Sequence, residues 1–214
     1  MTTIVFSHGF GTDKHSRGLF DVLAENLGPD NEYVMFDYNK VDKVKNTLTV
    51  EPFSLQADKL VKATADMANY VLICHSQGGL IAALAKPAGA RKIIMLAPPL
   101  EMSSARLIKK YAKRPGSVMN INGTSKLVRR DGSITLIDKK YWIELDATDP
   151  TTLYQQLAKT TPLIIIGAED DEVLPDNNYE PLKLSNIDLY TLPANHDFTG
   201  TIRDQLSTII KSEL

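Results

Sequence analysis

Short apolar runs alternate with amphipathic stretches along most of the chain. Residues 3 to 7 (Thr-Ile-Val-Phe-Ser), 33 to 37, 70 to 74, 93 to 97, 161 to 167 and 187 to 192 have strand length and β-prone composition. Between Ser16 and Leu27 the residues Leu19, Phe20, Leu23, Ala24 and Leu27 recur at helical spacing, and Gly28-Pro29 closes the segment. Pro52 starts a second helix running to about Met67, with Phe53, Leu55, Leu60, Val61 and Ala65 among its apolar residues. An alanine- and leucine-rich helix follows residue 76 and stops at Lys86-Pro87, and a last helix covers about Thr201 to Ile210. This alternation predicts an α/β fold, a mostly parallel sheet with helices on both faces and chemistry at the carboxyl ends of its strands. The polar stretch from Asn39 to Glu51 reads as a surface loop.

The pattern changes at Pro98-Pro99. Residues 100 to 160 carry a helical stretch around Ser103 to Lys113, then a hairpin signal, Asp131-Gly132 between two β-prone runs. Two short helices, Lys139 to Leu145 and Pro150 to Ala158, return the chain to the sheet. The stretch reads as an insertion into a single domain spanning residues 1 to 214.

The candidate chemistry begins at Tyr70-Val71-Leu72-Ile73-Cys74-His75-Ser76-Gln77-Gly78-Gly79. An apolar strand meets a serine, two glycines follow, and a helix starts. A serine at such a turn stands clear of the sheet beside the first free N–H groups of the helix, where the dipole favours negative charge. The plain structural reading of Ser76 is a helix N-cap.

This stretch resembles the nucleophile elbow of the α/β-hydrolase superfamily, G-x-S-x-G between a strand and a helix, with Cys74 in place of the first glycine. The resemblance implies an α/β-hydrolase fold, trimmed at its N-terminus because only Met1 and Thr2 precede the first strand. It gives His8-Gly9-Phe10-Gly11 the role of an oxyanion loop, with the backbone N–H groups of Phe10 and Gln77 as donors. The insertion becomes a small cap that sets substrate choice. Gly167-Ala168-Glu169-Asp170-Asp171-Glu172-Val173-Leu174-Pro175 resembles the family's acid loop. Counting back from Pro175 selects Asp171, and counting forward from Gly167 selects Asp170; Asp171 is the preferred acid. His196, after the last strand and followed by Phe198, matches the family's catalytic histidine in the order Ser, Asp, His. Asp37 reads as a turn residue, His75 as an elbow residue, His8 as a shaper of the oxyanion loop, and His15 as pocket mouth or plain surface.

Composition narrows the partners. A net charge of −2 gives no general attraction to nucleic acid or an anionic membrane. The single cysteine excludes an intramolecular disulfide and suits a reducing compartment; with no basic, apolar leader in view, the expectation is cytoplasmic. No metal-ligand spacing or nucleotide-binding pattern occurs, so no cofactor and no metal are expected. The insertion is basic: between Glu101 and Leu145 ten Lys or Arg stand against four acids, a net of +6, which leaves −8 for the rest. A solvated face explains this plainly; attraction of an acyl substrate bearing a carboxylate or phosphate is the sharper reading. The expected activity is ester hydrolysis through an acyl-enzyme on a small-molecule acyl ester, by a monomer or a homodimer. Thioesterase, acyltransferase or amidase chemistry, and a non-catalytic hydrolase-fold binding protein, are the alternatives.

Overall fold

A computed structural model describes residues 1–129, 131–183 and 186–214. In chain order the elements are β1 (Thr3–Ser7), α1 (Leu19–Leu27), β2 (Glu32–Met35), β3 (Lys40–Asp42), β4 (Thr47–Val50), α2 (Phe53–Ala63), β5 (Tyr70–His75), α3 (Gln77–Ala85), β6 (Ala90–Leu96) and α4 (Ser104–Tyr111). They continue with β7 (Ser125–Val128), β8 (Ile134–Ile137), α5 (Lys139–Asp146), α6 (Pro150–Leu157), β9 (Leu163–Ala168), β10 (Ile187–Leu192) and α7 (Ile202–Glu213).

Six strands form the main sheet in the order β10-β9-β6-β5-β1-β2, and every pairing is parallel. Strand periodicity divides the core into two layers. Val5, Leu72, Cys74, Ile93, Met95 and Ile165 face one side, where α2, α3 and α6 cover them. Ile4, Phe6, Val71, Ile73, Ile94 and Ile166 face the other, under α1 and α7. Helix α3 is apolar all round because it is enclosed: every residue from Gln77 to Ala83 is buried. It sits so low on the sheet that a Cβ at Gly78 would overlap the Ser7 carbonyl oxygen at the end of β1. Ser7 Oγ reinforces that contact by donating to the Gly78 carbonyl at 3.0 Å.

Two expectations change. Residues 39–51 are not a plain loop: β3 and β4 pair antiparallel, and β4 pairs parallel with β8 of the insertion. With β7 these strands form a second sheet in the order β3-β4-β8-β7. The alternating β-branched run Thr47-Leu48-Thr49-Val50 supplies β4, and Asp42 Oδ1 closes its turn by accepting from the Val44 and Lys45 N–H groups. The partner of β4 lies so far along the chain that local pattern could not show it. The first helix also starts later than Ser16, because Ser16 and Arg17 take left-handed backbone conformations (φ 46° and 56°) in the turn before it.

The predicted hairpin is present as β7 and β8, although Arg130 in its turn lies outside the described residues. Between β6 and β9 the chain forms α4, β7, β8, α5 and α6, and Tyr141 of α5 reaches Gln77 at the start of α3. Helix α6 buries Tyr154 and Leu157 in the same cluster as Leu80 and Ile81 of α3, and α5 adds Tyr141, Trp142 and Leu145 to it.

Candidate active site

Strand β5 ends in six buried residues and turns sharply at Ser76, whose backbone adopts φ 53° and ψ −125°. A non-glycine residue held there stores strain, and the surroundings fix it: Ser76 N–H donates to the Leu96 carbonyl at 2.8 Å. Cys74 fits the crowded position two residues earlier as a fully buried side chain, and burial pushes its thiol pKa up. Gly9 presses against the serine from the β1 side; a Cβ there would lie 3.1 Å from Ser76 Cβ.

The loop after β10 brings His196 over the serine. His196 Nε2 lies 2.9 Å from Ser76 Oγ, and His196 Nδ1 lies 2.7 Å from Asp171 Oδ2. Because the Asp171 carboxylate only accepts, Nδ1 carries the proton, and the Nε2 lone pair faces the serine hydroxyl. Asp171 is fixed in turn, its Oδ1 accepting from the N–H groups of Val173 at 2.8 Å and Leu174 at 2.7 Å. Burial alone would raise its pKa, but the hydrogen bond and charge of His196 with these two N–H groups hold it below the usual carboxylate range. Asp170 points to solvent, its N–H donating to the Ala194 carbonyl. Ser76, Asp171 and His196 are thus brought into one chain of hydrogen bonds, and Asp170 is not. Asp37 is exposed at a turn, accepting from the Lys14 N–H.

The two expected backbone donors lie beside the serine. Gln77 is the first residue of α3, and Phe10 follows Gly9; among the described residues neither N–H donates to another group of the chain. The Gln77 side chain is tied into a buried relay. Tyr141 of α5 donates to Gln77 Oε1 at 2.7 Å, and Gln77 Nε2 donates to Gln56 Oε1 at 3.1 Å. Tyr141 also packs on Phe10 with ring centroids 5.6 Å apart, so the insertion seats on both residues.

Two supports gave no sequence signal, the partners of His75 and the contact of Glu172, while His8 holds the Gly9–Phe10 loop as the sequence leads one to expect. His75 Nε2 donates to the His196 carbonyl at 2.9 Å, and Nδ1 accepts from Ser16 Oγ at 2.9 Å, which also accounts for the left-handed turn at Ser16. Glu172 Oε2 accepts from the His196 N–H at 3.2 Å. His8 Nε2 accepts from the Tyr38 N–H and its Nδ1 donates to the Gly9 carbonyl, which fixes the loop carrying Phe10. His15 pairs with Asp21 at the surface.

Burial, and then the charge of neighbouring His196, lower the His75 pKa to about 4. An unfolded histidine titrates near 6.5, so between the two values the unfolded chain holds a proton that the folded chain lacks. Stability therefore rises with pH through that window and falls as pH drops from about 6.5 towards about 4, by up to roughly 3 kcal/mol. Urea melts across this range should show the slope in the wild type and a flatter curve in His75→Gln. An unchanged slope in the variant assigns the effect elsewhere.

Among the described residues no group of three or more His, Cys, Asp or Glu is placed to hold a metal, and no helix is long and apolar enough to cross a membrane. No family profile and no curated protein matches the sequence. Solved structures do match over almost the whole chain. Est1E from Butyrivibrio proteoclasticus with bound ferulic acid is 18% identical with a TM-score of 0.71, covering 100% of this chain and 88% of its own. The esterase domain of a Rhodothermus marinus protein is 15% identical with a TM-score of 0.68, covering 99% and 85%. An extracellular alpha/beta-hydrolase from a Paenibacillus species is 15% identical with a TM-score of 0.63, covering 99% and 98%. A parallel sheet enclosed by helices, a strained serine between β5 and α3, and this likeness over full length lead to one description: the chain has the α/β-hydrolase fold.

Proposed function

We propose that the protein is a serine hydrolase that cleaves carboxylic esters through an acyl-enzyme. The observation that carries this reading is the unbroken chain Ser76 Oγ, His196, Asp171 at a strained turn, with two neighbouring N–H groups free to receive an oxyanion. The solved structures described as esterases favour an ester over an amide.

A serine hydroxyl is un-ionised at neutral pH and needs a base as it attacks. His196 Nε2 takes the proton while Oγ bonds to the carbonyl carbon. The resulting oxyanion accepts hydrogen bonds from the Phe10 and Gln77 N–H groups, each such donor being worth about 3 to 4 kcal/mol. The tetrahedral adduct collapses, the carbon–oxygen bond to the leaving group breaks, and His196 returns the proton to give an alcohol. Water then attacks the acyl-enzyme with His196 again as base, which releases the carboxylic acid and restores Ser76. Asp171 stays ionised throughout and steadies the imidazolium.

Intact mass after treatment with a fluorophosphonate tests the reading. The expected result is one adduct per chain, located by peptide mapping on Ser76. A folded sample that takes up no adduct argues for a binding protein on this fold.

A further inference from the structure

A cleft of about 520 Å³ opens between the Gly11–Asp13 loop, β3 and β4, helix α4, the β7–β8 hairpin and the residues following Asp171. Its nearest walls to the chemistry are Gly11, one residue past the oxyanion donor Phe10, and Glu172, one past the triad acid. Neither Ser76 nor His196 lines it, and a substrate whose carbonyl lies at Ser76 would reach it, past Gly11 and Glu172, only with its remote end.

Three cations in its wall lack a carboxylate partner among the described residues: Lys110, Arg114 and Arg129. Arg129 is the most committed. Its guanidinium is half-buried above the Phe10 ring at 5.5 Å, and it lies so close to Gly11 that a Cβ there would overlap it. Its contacts are neutral: Nε donates to Thr135 Oγ1 at 2.7 Å, and Nη2 to the Gly11 carbonyl at 3.2 Å. Of its five N–H groups the other three find no acceptor among the described residues. Arg114 stacks on Tyr111, its guanidinium 4.7 Å from the ring centroid, and Lys110 donates to the Val173 carbonyl at 3.3 Å and stands 6.0 Å from the same ring centroid.

The acids of the cleft form no ion pair with these cations, although the charges of Asp131 and Glu172 are felt by Arg129 and Lys110, and their oxygens are hydrogen-bonded to other groups. Glu172 accepts from the His196 N–H, Asp131 from Ser133, and Asp13 from the His15 N–H. Arg17, at the rim, is paired with Asp197 at 2.7 Å. Burying a guanidinium without a counter-ion is costly, and burial lowers the pKa of both Arg129 and Lys110. A carboxylate or phosphate on the substrate would accept the spare N–H groups in the planar geometry that a guanidinium favours.

Building on the reading of Ser76 as nucleophile, we propose that this cleft is an anion subsite in which Arg129, with Lys110 and Arg114, selects esters bearing a carboxylate or phosphate remote from the scissile carbonyl. Such a site pulls anionic esters in by charge and holds them by a charge-assisted fork, so both salt and removal of the guanidinium weaken the preference.

The experiment compares matched esters. Mono-4-nitrophenyl glutarate is set against its methyl ester to place the anion on the acyl side. 4-Acetoxybenzoate is set against methyl 4-acetoxybenzoate to place it on the leaving group, and 4-acetoxyphenyl phosphate replaces carboxylate by phosphate. At about 10 mM ionic strength kcat/KM should favour at least one anionic ester over its neutral analogue by about tenfold or more, and the ratio should shrink at about 0.5 M salt. Arg129→Gln should abolish most of the ratio, and the double variant Lys110→Gln/Arg114→Gln, which changes less buried residues, should reduce it. Calorimetric titration of glutarate and inorganic phosphate into the wild type and both variants gives a readout independent of turnover. Turnover of neutral esters with no anionic preference, or a preference that survives in both variants, overturns the subsite and leaves the hydrolase reading intact. If no ester is turned over, the calorimetry decides: anion binding lost in the variants supports the subsite while the hydrolase reading fails, and absence of binding overturns both.

Discussion

Ser76→Ala is expected to lower kcat on an activated ester by about 10⁶, with no acyl-enzyme trapped on acid quench. The size follows from what the variant retains. Without Oγ there is no nucleophile for His196 to activate, and the remaining rate comes from water in a site that still offers two N–H donors, typically about 10³ to 10⁴ above the uncatalysed reaction. The fold should survive, because Ser76 is held by its backbone N–H to Leu96, a bond that alanine keeps. The positive φ, already tolerated by a Cβ-bearing residue, costs alanine no more than serine. Burst kinetics and a thermal melt on the same sample check both statements. A variant that keeps more than about a hundredth of the wild-type kcat places the nucleophile elsewhere.

The second large effect separates adjacent acids. Asp171→Asn should lower kcat by about 10⁴, since an amide in this position turns an N–H toward His196 and favours the wrong imidazole tautomer. On the proposed mechanism it also removes the charge that would stabilise the imidazolium formed during attack. Asp170→Asn should stay within about twofold, because that side chain faces solvent and only its backbone is engaged. Steady-state kinetics of the pair decide the matter, and equal losses from both variants would falsify the assignment of roles.

Much of the candidate site is legible in the sequence, for physical reasons that also explain what is not. Ser76 announced itself because an elbow demands an apolar strand, a small-residue turn and a buried helix in immediate succession, all of them local. The acid loop was legible only to within one residue. Two spacing arguments pointed to neighbouring aspartates, and what separates them is burial, which depends on how the loop lies against His196. The supports of His196 left no trace at all: Ser16 and His75 are 59 positions apart, and a serine before a helix looks the same whether or not its hydroxyl meets a histidine. The stretch from Asn39 to Glu51 reads as a loop because it is polar, while its strands take shape only in pairing, β3 with β4 and β4 with the distant β8.

That pairing bears on how such a protein could be re-engineered. The second sheet is not built from one continuous insertion, since β3 and β4 come to it from before α2 while β7 and β8 come from after β6. Excising or exchanging only the later segment would strip β4 of its neighbour and leave a two-stranded ribbon with an open edge, a form with little stability of its own and a tendency to recruit other chains. A transplant of specificity between proteins of this design therefore has to carry two separate lengths of chain, matched to each other at the β4–β8 seam.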